Sequence, residues 1–576
     1  MNKNLLATIL VLLTTVAFYF YSADFRKTVK QVEVSVTGGE NIPVVIVPHF
    51  DFAKEERLSL LGNISEKNNL KTLVLVSVNH FNTGSGQIVT TKRDWQVAAG
   101  EILSAKKLEE KIVNDGLAID DELAFTNEHG ITNILADIYE TFPNVPILPI
   151  IIKDTTNKEK IDQLADWLNS ECRDCLLVSS VDFSHYCPRA LANVHDQYSI
   201  QALTKLDKDK VWLAETDSPQ TLYLSLKIAE NREAKNFQLV YHANSADPSE
   251  TDDTETTSVV LGYYTDKELS GAEAVESSTS FVIAGDAMFD RAVWHYFKDK
   301  GLKSIFSNFG DRVFRGVDLS LLNLEGPISA KEIDDDWQSG SLVFNFPPET
   351  TSVLKYLNVN SASLANNHTN NAGNSGFINT NKVLEEAGIN YFGKPNGFDE
   401  SSVLQIDGEI PISVIGIMAI DNFDNQPLLA KISAEKSAGR KVIIFPHWGV
   451  EYAPKHSISQ ERLARSWISS GADLIVGSHP HVTQDFEIID GRPVIYSLGN
   501  FVFDQFFSQE TQEGLVLAGT ITKDKITLSF LPTREKLVKP EFLRGEEKVA
   551  KIRTFFGIDS ETGFKKISSD TIEIVY

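Results

Sequence analysis

At 576 residues, with 42% hydrophobic and 23% charged side chains, the chain is too long for one ordinary core and too apolar for extended disorder, so two or more globular domains are expected. A formal net charge of -25 repels polyanions at long range and excludes nucleic acid as an expected partner. Three cysteines are too few for a disulfide framework. Cys172 and Cys175 form a C-R-D-C pair able to close a tight bridge in an oxidising compartment, and Cys187 stands alone.

The first predicted element is apolar. Lys3 precedes an uncharged run from Leu5 to about Ser22, which at about 18 residues is just long enough to span a bilayer and longer than a signal h-region. Tyr21 sits where a small-x-small cleavage site needs its second small residue. Residues 1–24 are therefore expected as an uncleaved transmembrane anchor. That makes a single-pass cell-membrane protein with its bulk outside the cytoplasm, although Arg26, Lys27 and Lys30 after the run work against this orientation.

From residue 40 to 266, short apolar runs alternate with stretches of helical period. The strands read Val44–Val47, Leu73–Val78, Val145–Ile152 and Leu176–Val181, with helices at about Ile131–Thr141 and Glu159–Asn169. Continuous apolar strands between helices predict a mostly parallel, buried sheet in an α/β fold. Polar residues follow the strands: Pro48-His49, Asn79-His80 and Asp182-Phe183-Ser184-His185, with Glu128-His129 opening a helix. Three imidazoles at strand ends suit iron, copper or zinc. The strings VPHFD, VLVSVNHF, NEHGITN, PILPIII and SSVDFSHY resemble the Memo family, also called AmmeMemoRadiSam system protein B. The resemblance implies a fold like the class III extradiol dioxygenases, with His49, His80 and His185 as metal ligands and Glu128, His129 and Asp182 lining the site. The family's EHSIE pattern reads Glu128-His129-Gly130-Ile131-Thr132 here, and the late cysteine of some members is missing near Asn244–Pro248.

Residues 267–280 lack periodicity and read as a linker. A second alternating block covers 281–535, and 536–576 read as a charged tail. In the second block, five strands each deliver metal-compatible groups at their C-terminal ends, the edge where open α/β sheets bind ligands. These groups are Asp286, Asn323-Leu324-Glu325, Asn366-Asn367-His368, His447, and His479-Pro480-His481. Hard oxygens with imidazoles suit Mn, Fe, Zn or Mg, and two such ions can activate a water and clamp a phosphoryl-like oxygen. Taken alone, Asp286 has a second reading as the N-cap of a helix over Arg291–Lys300.

The strings GDAMFD, NLEGPIS, LANNHTNNAG, PHWGVEY, GADLIVGSHPHVTQ and YSLGNFVFD resemble the CapA capsule-synthesis family, which is associated with poly-γ-glutamate capsules and has a calcineurin-like metallophosphoesterase fold. The resemblance implies two divalent ions, Mn, Fe or Zn. Asp286 would bind the first and Glu325 would bridge both. Asn367, His447 and His479 would bind the second, while His481 returns to the first, and His368 would protonate a leaving group. Two positions depart from the pattern: Met288 replaces the second ligand of the superfamily's Asp-x-His, and Asn371 replaces an aspartate. The expected function is metal-dependent hydrolysis or transfer in capsule or cell-surface polymer metabolism. The expected partners are a polymer or phosphoester substrate, the membrane, and capsule-synthesis membrane proteins. Two alternatives stand beside it: a non-catalytic surface module that binds such a polymer, and an iron or copper oxidoreductase acting through the Memo-like half.

Overall fold

The computed structural model describes residues 40–68, 70–247, 256–268, 275–329, 341–420, 423–556 and 564–576. The chain divides into two compact units. The first takes the chain up to Phe183 with Gln220–Glu250 and Ser258–Ala272; the second takes Ser184–Pro219, Thr251–Thr257 and Glu273–Tyr576. Both are mixed α/β, as the strand–helix alternation predicts.

In the first unit, β1 (Val44–Val47), β2 (Leu73–Val78), β3 (Ile147–Ile152) and β4 (Leu176–Ser180) run parallel in the order β1-β4-β2-β3. Every residue of these four strands is buried because helices cover both faces, which is why they read as continuous apolar runs. Alternate residues Val45, Val47, Leu73, Leu75, Ile147, Ile151, Leu176 and Val178 fill one core. Cys172 and Cys175 are disulfide-bonded.

The second unit includes α1 (Arg189–Thr204) and two sheets. The larger includes β5 (Thr279–Ala287), β6 (Leu319–Leu324) and β7 (Ser361–Ser363); the smaller includes β8 (Ile412–Ala419), β9 (Lys441–Trp448) and β10 (Leu474–Val476). Strand alternation sends side chains to opposite faces. Phe281, Ile283, Leu319 and Leu321 of the larger sheet share one core with Val414, Ile443, Phe445, Leu474 and Val476 of the smaller. The two sheets therefore pack face to face. The intervening residues point outward: Ile444 and Ile475 meet Leu428, Ile432, Ala464 and Trp467 of covering helices. Val282 and Ala284 meet Leu191 and Val194 of α1, together with Val516, Ala518 and Leu531. Sheet on sheet with helices outside is a layered solution that leaves no apolar face wet.

Two expectations change. Among the described residues, no helix is long and apolar enough to cross a membrane. For those residues this overturns the expected transmembrane architecture and the single-pass extracytoplasmic placement; residues 1–24, on which both rested, lie outside the described residues. The stretch 536–576, read as a charged tail, carries the strand Lys539–Phe542, the helix Gly545–Phe556 and the strand Thr571–Val575, which pairs with Lys525–Lys536. Its apolar positions Ile572 and Ile574 are buried in the inter-sheet core, but Thr571, Glu573 and the surrounding lysines mask so short an alternation.

Candidate metal centre

In the second unit, Asp286 closes β5, Glu325 follows β6, Asn366-Asn367-His368 follow β7, His447 lies near the end of β9, and His479 and His481 follow β10. The carboxylates and amides thus come from the larger sheet and the imidazoles of 447, 479 and 481 from the smaller. Close backbone approach makes this possible. A Cβ on Gly285 would collide with the carbonyl oxygen of Gly499, and one on Gly477 with that of Tyr496. His479 and His481 both adopt left-handed backbone, φ 99° and 58°, a conformation that non-glycine residues keep only where surrounding structure enforces it.

Asn323, two residues before Glu325 and therefore on the same strand face, ties the carboxylates together. Its side-chain amide donates to Asp286 Oδ1 at 2.8 Å and to Glu325 Oε2 at 3.2 Å. Asn366 donates to Asn323 Oδ1 at 3.0 Å and to the Leu324 carbonyl at 2.9 Å. His481 Nδ1 lies 3.3 Å from Asp286 Oδ2 and 3.0 Å from Asn500 Oδ1. His447 Nε2 lies 2.9 Å from Asn367 Oδ1, and its Nδ1 is 3.0 Å from Ser478 Oγ. The helix beginning at Arg291 is capped by Asp290, whose Oδ1 accepts from the Arg291 N–H at 2.7 Å. Asp286 is thereby free for the site.

One atom is out of balance. Glu325 Oε1 is buried without a hydrogen-bond partner, yet Nε2 of His481, His447 and His368 stand around it at 3.6, 3.9 and 4.0 Å. Such distances are too long for hydrogen bonds but match donors arranged about cations with bonds of about 2.0–2.2 Å. His479 Nδ1 is likewise buried and unpartnered. Leaving such groups unmatched costs roughly 1–3 kcal/mol each, so the donor set fits divalent ions.

The electrostatics agree. Burial, then the charge of Asp286, pushes the Glu325 carboxyl well above its ordinary range. Burial acts the same way on Asp286, but the hydrogen bond and charge of His481, with His447 and Asn323, outweigh it and hold that carboxyl below the usual range. Burial and the neighbouring His479 drive His447 well below an ordinary imidazole, and burial with His481 lowers His479 to about 4. Neutral imidazoles present lone pairs, the form that binds metals.

Among the described residues of this unit, two groups of carboxylate and imidazole atoms have the spacing to hold an ion: Asp286, Glu325 and His447, and Glu451, His479 and His481. The second includes Glu451, a residue of the PHWGVEY string that strand-end reasoning passes over because it lies three positions beyond β9. Asn367 stays beside His447, and His368 lies over the Phe344 ring at 4.2 Å between centroids.

In the first unit the histidines that come together are His49, His80 and His129, with ligand atoms within 4.8 Å of one another. His185 is not among them: it lies on a short strand, His185–Cys187, inside the segment that belongs to the second unit. His129 takes the third position because Glu128 caps the turn His129–Thr132, accepting from the Gly130 N–H at 3.1 Å. The same carboxylate holds His80 Nδ1 at 2.5 Å, the kind of outer support found behind a metal-bound imidazole. His49 Nδ1 lies 3.2 Å from Ser180 Oγ, and its Nε2 lies 3.2 Å from Asp182 Oδ2.

Comparison with known proteins follows this division. Residues 280–505 match the family described as bacterial capsule synthesis protein PGA_cap, and residues 13–264 match Memo-like protein. The chain is 30% identical over 261 residues to PGA biosynthesis protein CapA of Bacillus subtilis (strain 168), covering 42% of this chain and 66% of that one. It is 30% identical over 266 residues to capsule biosynthesis protein CapA of Bacillus anthracis, covering 41% and 62%. To the MEMO1 family protein PAE0818 of Pyrobaculum aerophilum it is 25% identical over 212 residues, covering 34% and 75%. The matches to the two capsule relatives thus span slightly less than two thirds of those proteins' own length. Both resemblances seen in the motifs are confirmed, and the chain is a fusion of a Memo-like domain with a CapA-type capsule synthesis domain.

Proposed function

We propose that the CapA-type domain holds two divalent ions on Asp286, Glu325, Asn367, His447, His479 and His481, and uses them for hydrolysis or transfer on a capsule-type, poly-γ-glutamate-like polymer or a phosphoester. The observation that carries this reading is the unpartnered Glu325 Oε1 ringed by three imidazole nitrogens at 3.6–4.0 Å. The names of the two capsule relatives support the substrate class. When bound, such ions supply Lewis-acid chemistry, polarising an acceptor oxygen and acidifying a water.

The chain's own residues do the rest. Asn371 Oδ1 accepts from the Phe344 N–H at 2.8 Å and from His368 Nδ1 at 2.9 Å, so Nδ1 carries a proton and Nε2 faces the carboxylates. Stacking on Phe344 fixes that orientation. To serve as the donor His368 must first take up a second proton from solvent at Nε2, against the burial that lowers its pKa; the charged ring then passes that proton to the departing oxygen, a role Asn371 supports by position rather than by charge. Replacing His368 by glutamine is expected to lower kcat by about a hundredfold or more while metal content stays at the wild-type level. An equal loss of metal would reassign His368 from proton donor to ligand.

The deciding assay supplies Mn or Zn to the full chain and offers model phosphoesters and poly-γ-glutamate. Polymer binding without turnover of either would sink the enzyme reading and leave a polymer-binding module. A second reading concerns the first unit, where the His49, His80 and His129 cluster with its carboxylate support favours a separate iron, copper or zinc site. Replacing His80 and His129 together by alanine is expected to remove the metal of that unit alone. Unchanged elemental content in this double variant counts against the site.

A further inference from the structure

We infer that Glu451 is a further metal ligand of the CapA-type site, beside His479 and His481, in a chain where Met288 stands in place of a ligand histidine; the inference rests on the two-ion reading above. Met288 is fully buried and its sulfur accepts from the Asp290 N–H at 3.0 Å, so it is turned into its own bend and packed in the outer core. The side of the site served by Asp286 is thereby one donor short. Glu451 lies in the loop after β9, and its carboxylate is within 4.8 Å of the ligand nitrogens of His479 and His481, which are themselves within that distance of each other.

The loop is built to hold it there. Gly449 takes φ 95°, and a Cβ on it would meet Gln460 Nε2 at 2.8 Å. Tyr452, a non-glycine residue, is held at φ 63°. Its N–H donates to the Pro480 carbonyl at 2.8 Å, between the two histidines, and its hydroxyl accepts from Gln505 Nε2 at 3.2 Å. Two left-handed residues flanking Val450-Glu451, pinned to Pro480, give a bend whose apex is the carboxylate. The second observation is independent of the loop: His479 is 4% exposed and its Nδ1 has no hydrogen-bond partner. A groove of about 530 Å³ lined by Asn367, Glu451 and His479 gives an ion and its substrate access to the pair. An anionic oxygen in place of an imidazole shifts this position toward harder ions such as Mn or Mg.

The test uses the full-length chain stripped with chelator and titrated with Mn²⁺, read by elemental analysis, calorimetry and the metal-induced rise in melting temperature. Glu451→Gln is expected to weaken one Mn²⁺ equivalent by about tenfold or more, with Glu451→Asp recovering part of it. The chelator-treated melting temperature should match wild type, since the side chain is exposed. Glu451→Gln binding Mn²⁺ with wild-type stoichiometry and affinity overturns the inference while leaving the two-ion site intact. Wild type and the His479→Ala, His481→Ala variant binding equally would overturn both together.

Discussion

Replacing His479 and His481 together by alanine is expected to abolish metal binding by the CapA-type domain and to reduce metal-dependent turnover to background. The two side chains serve the same buried cluster, and His481 approaches both carboxylates, at 3.3 Å from Asp286 and 3.6 Å from Glu325. Removing them takes away the imidazole contacts, and with them the ions, that offset the two carboxylates, and a like pair at close range cannot both ionise. A cation at 100 times its dissociation constant stabilises the folded state by about 2.7 kcal/mol, so the metal-dependent part of the thermal shift should vanish. Elemental analysis and a melting curve with and without metal check this. Undiminished metal in the CapA-type domain would show that the ligand assignment is wrong.

The second large effect concerns α1. Residues 184–219 lie within the stretch matched to Memo-like protein, yet they belong to the second compact unit. Leu191 and Val194 pack with Val282, Ala284, Val516 and Ala518 in one core. A fragment beginning at residue 275, the natural cut by sequence, is therefore expected to leave that sheet face bare and to lose cooperative unfolding. In the full chain, Leu191→Ala is expected to cost about 2–5 kcal/mol, because the side chain is fully buried. Denaturant titration measures both. A fragment that melts cooperatively near the full chain's temperature would show that the helix is dispensable.

How much of this the sequence carried depends on the kind of signal. Asp286, Glu325, Asn367, His447, His479 and His481 stand out in the sequence because each lies at or just past the end of a short apolar strand, and the two sheets bring those ends together. His129 was harder to rank above His185. Both sit near a carboxylate and a strand end, and the cap made by Glu128 that sets His129 beside His80 is a feature of the fold rather than of the spacing. Glu451 stays hidden because its placement comes from Gly449 and Tyr452 bending the chain after β9. The allegiance of α1 was invisible for another reason: an apolar stripe at helical period shows that a helix packs, not which sheet it packs on.

The division of donors between the two sheets has a mechanical side. Asp286, Glu325 and Asn367 arrive on one layer of the sandwich, and the imidazoles with Glu451 on the other, so an ion held by both would act as a clasp across the seam. Its bond lengths of about 2 Å would set the spacing of the layers at that edge far more tightly than the side chains of the inter-sheet core can. Any sliding of one layer over the other would be felt first as a change in coordination. Slowed amide exchange along β5, β9 and β10 on metal loading, spreading inward from the clasped edge, would be its signature.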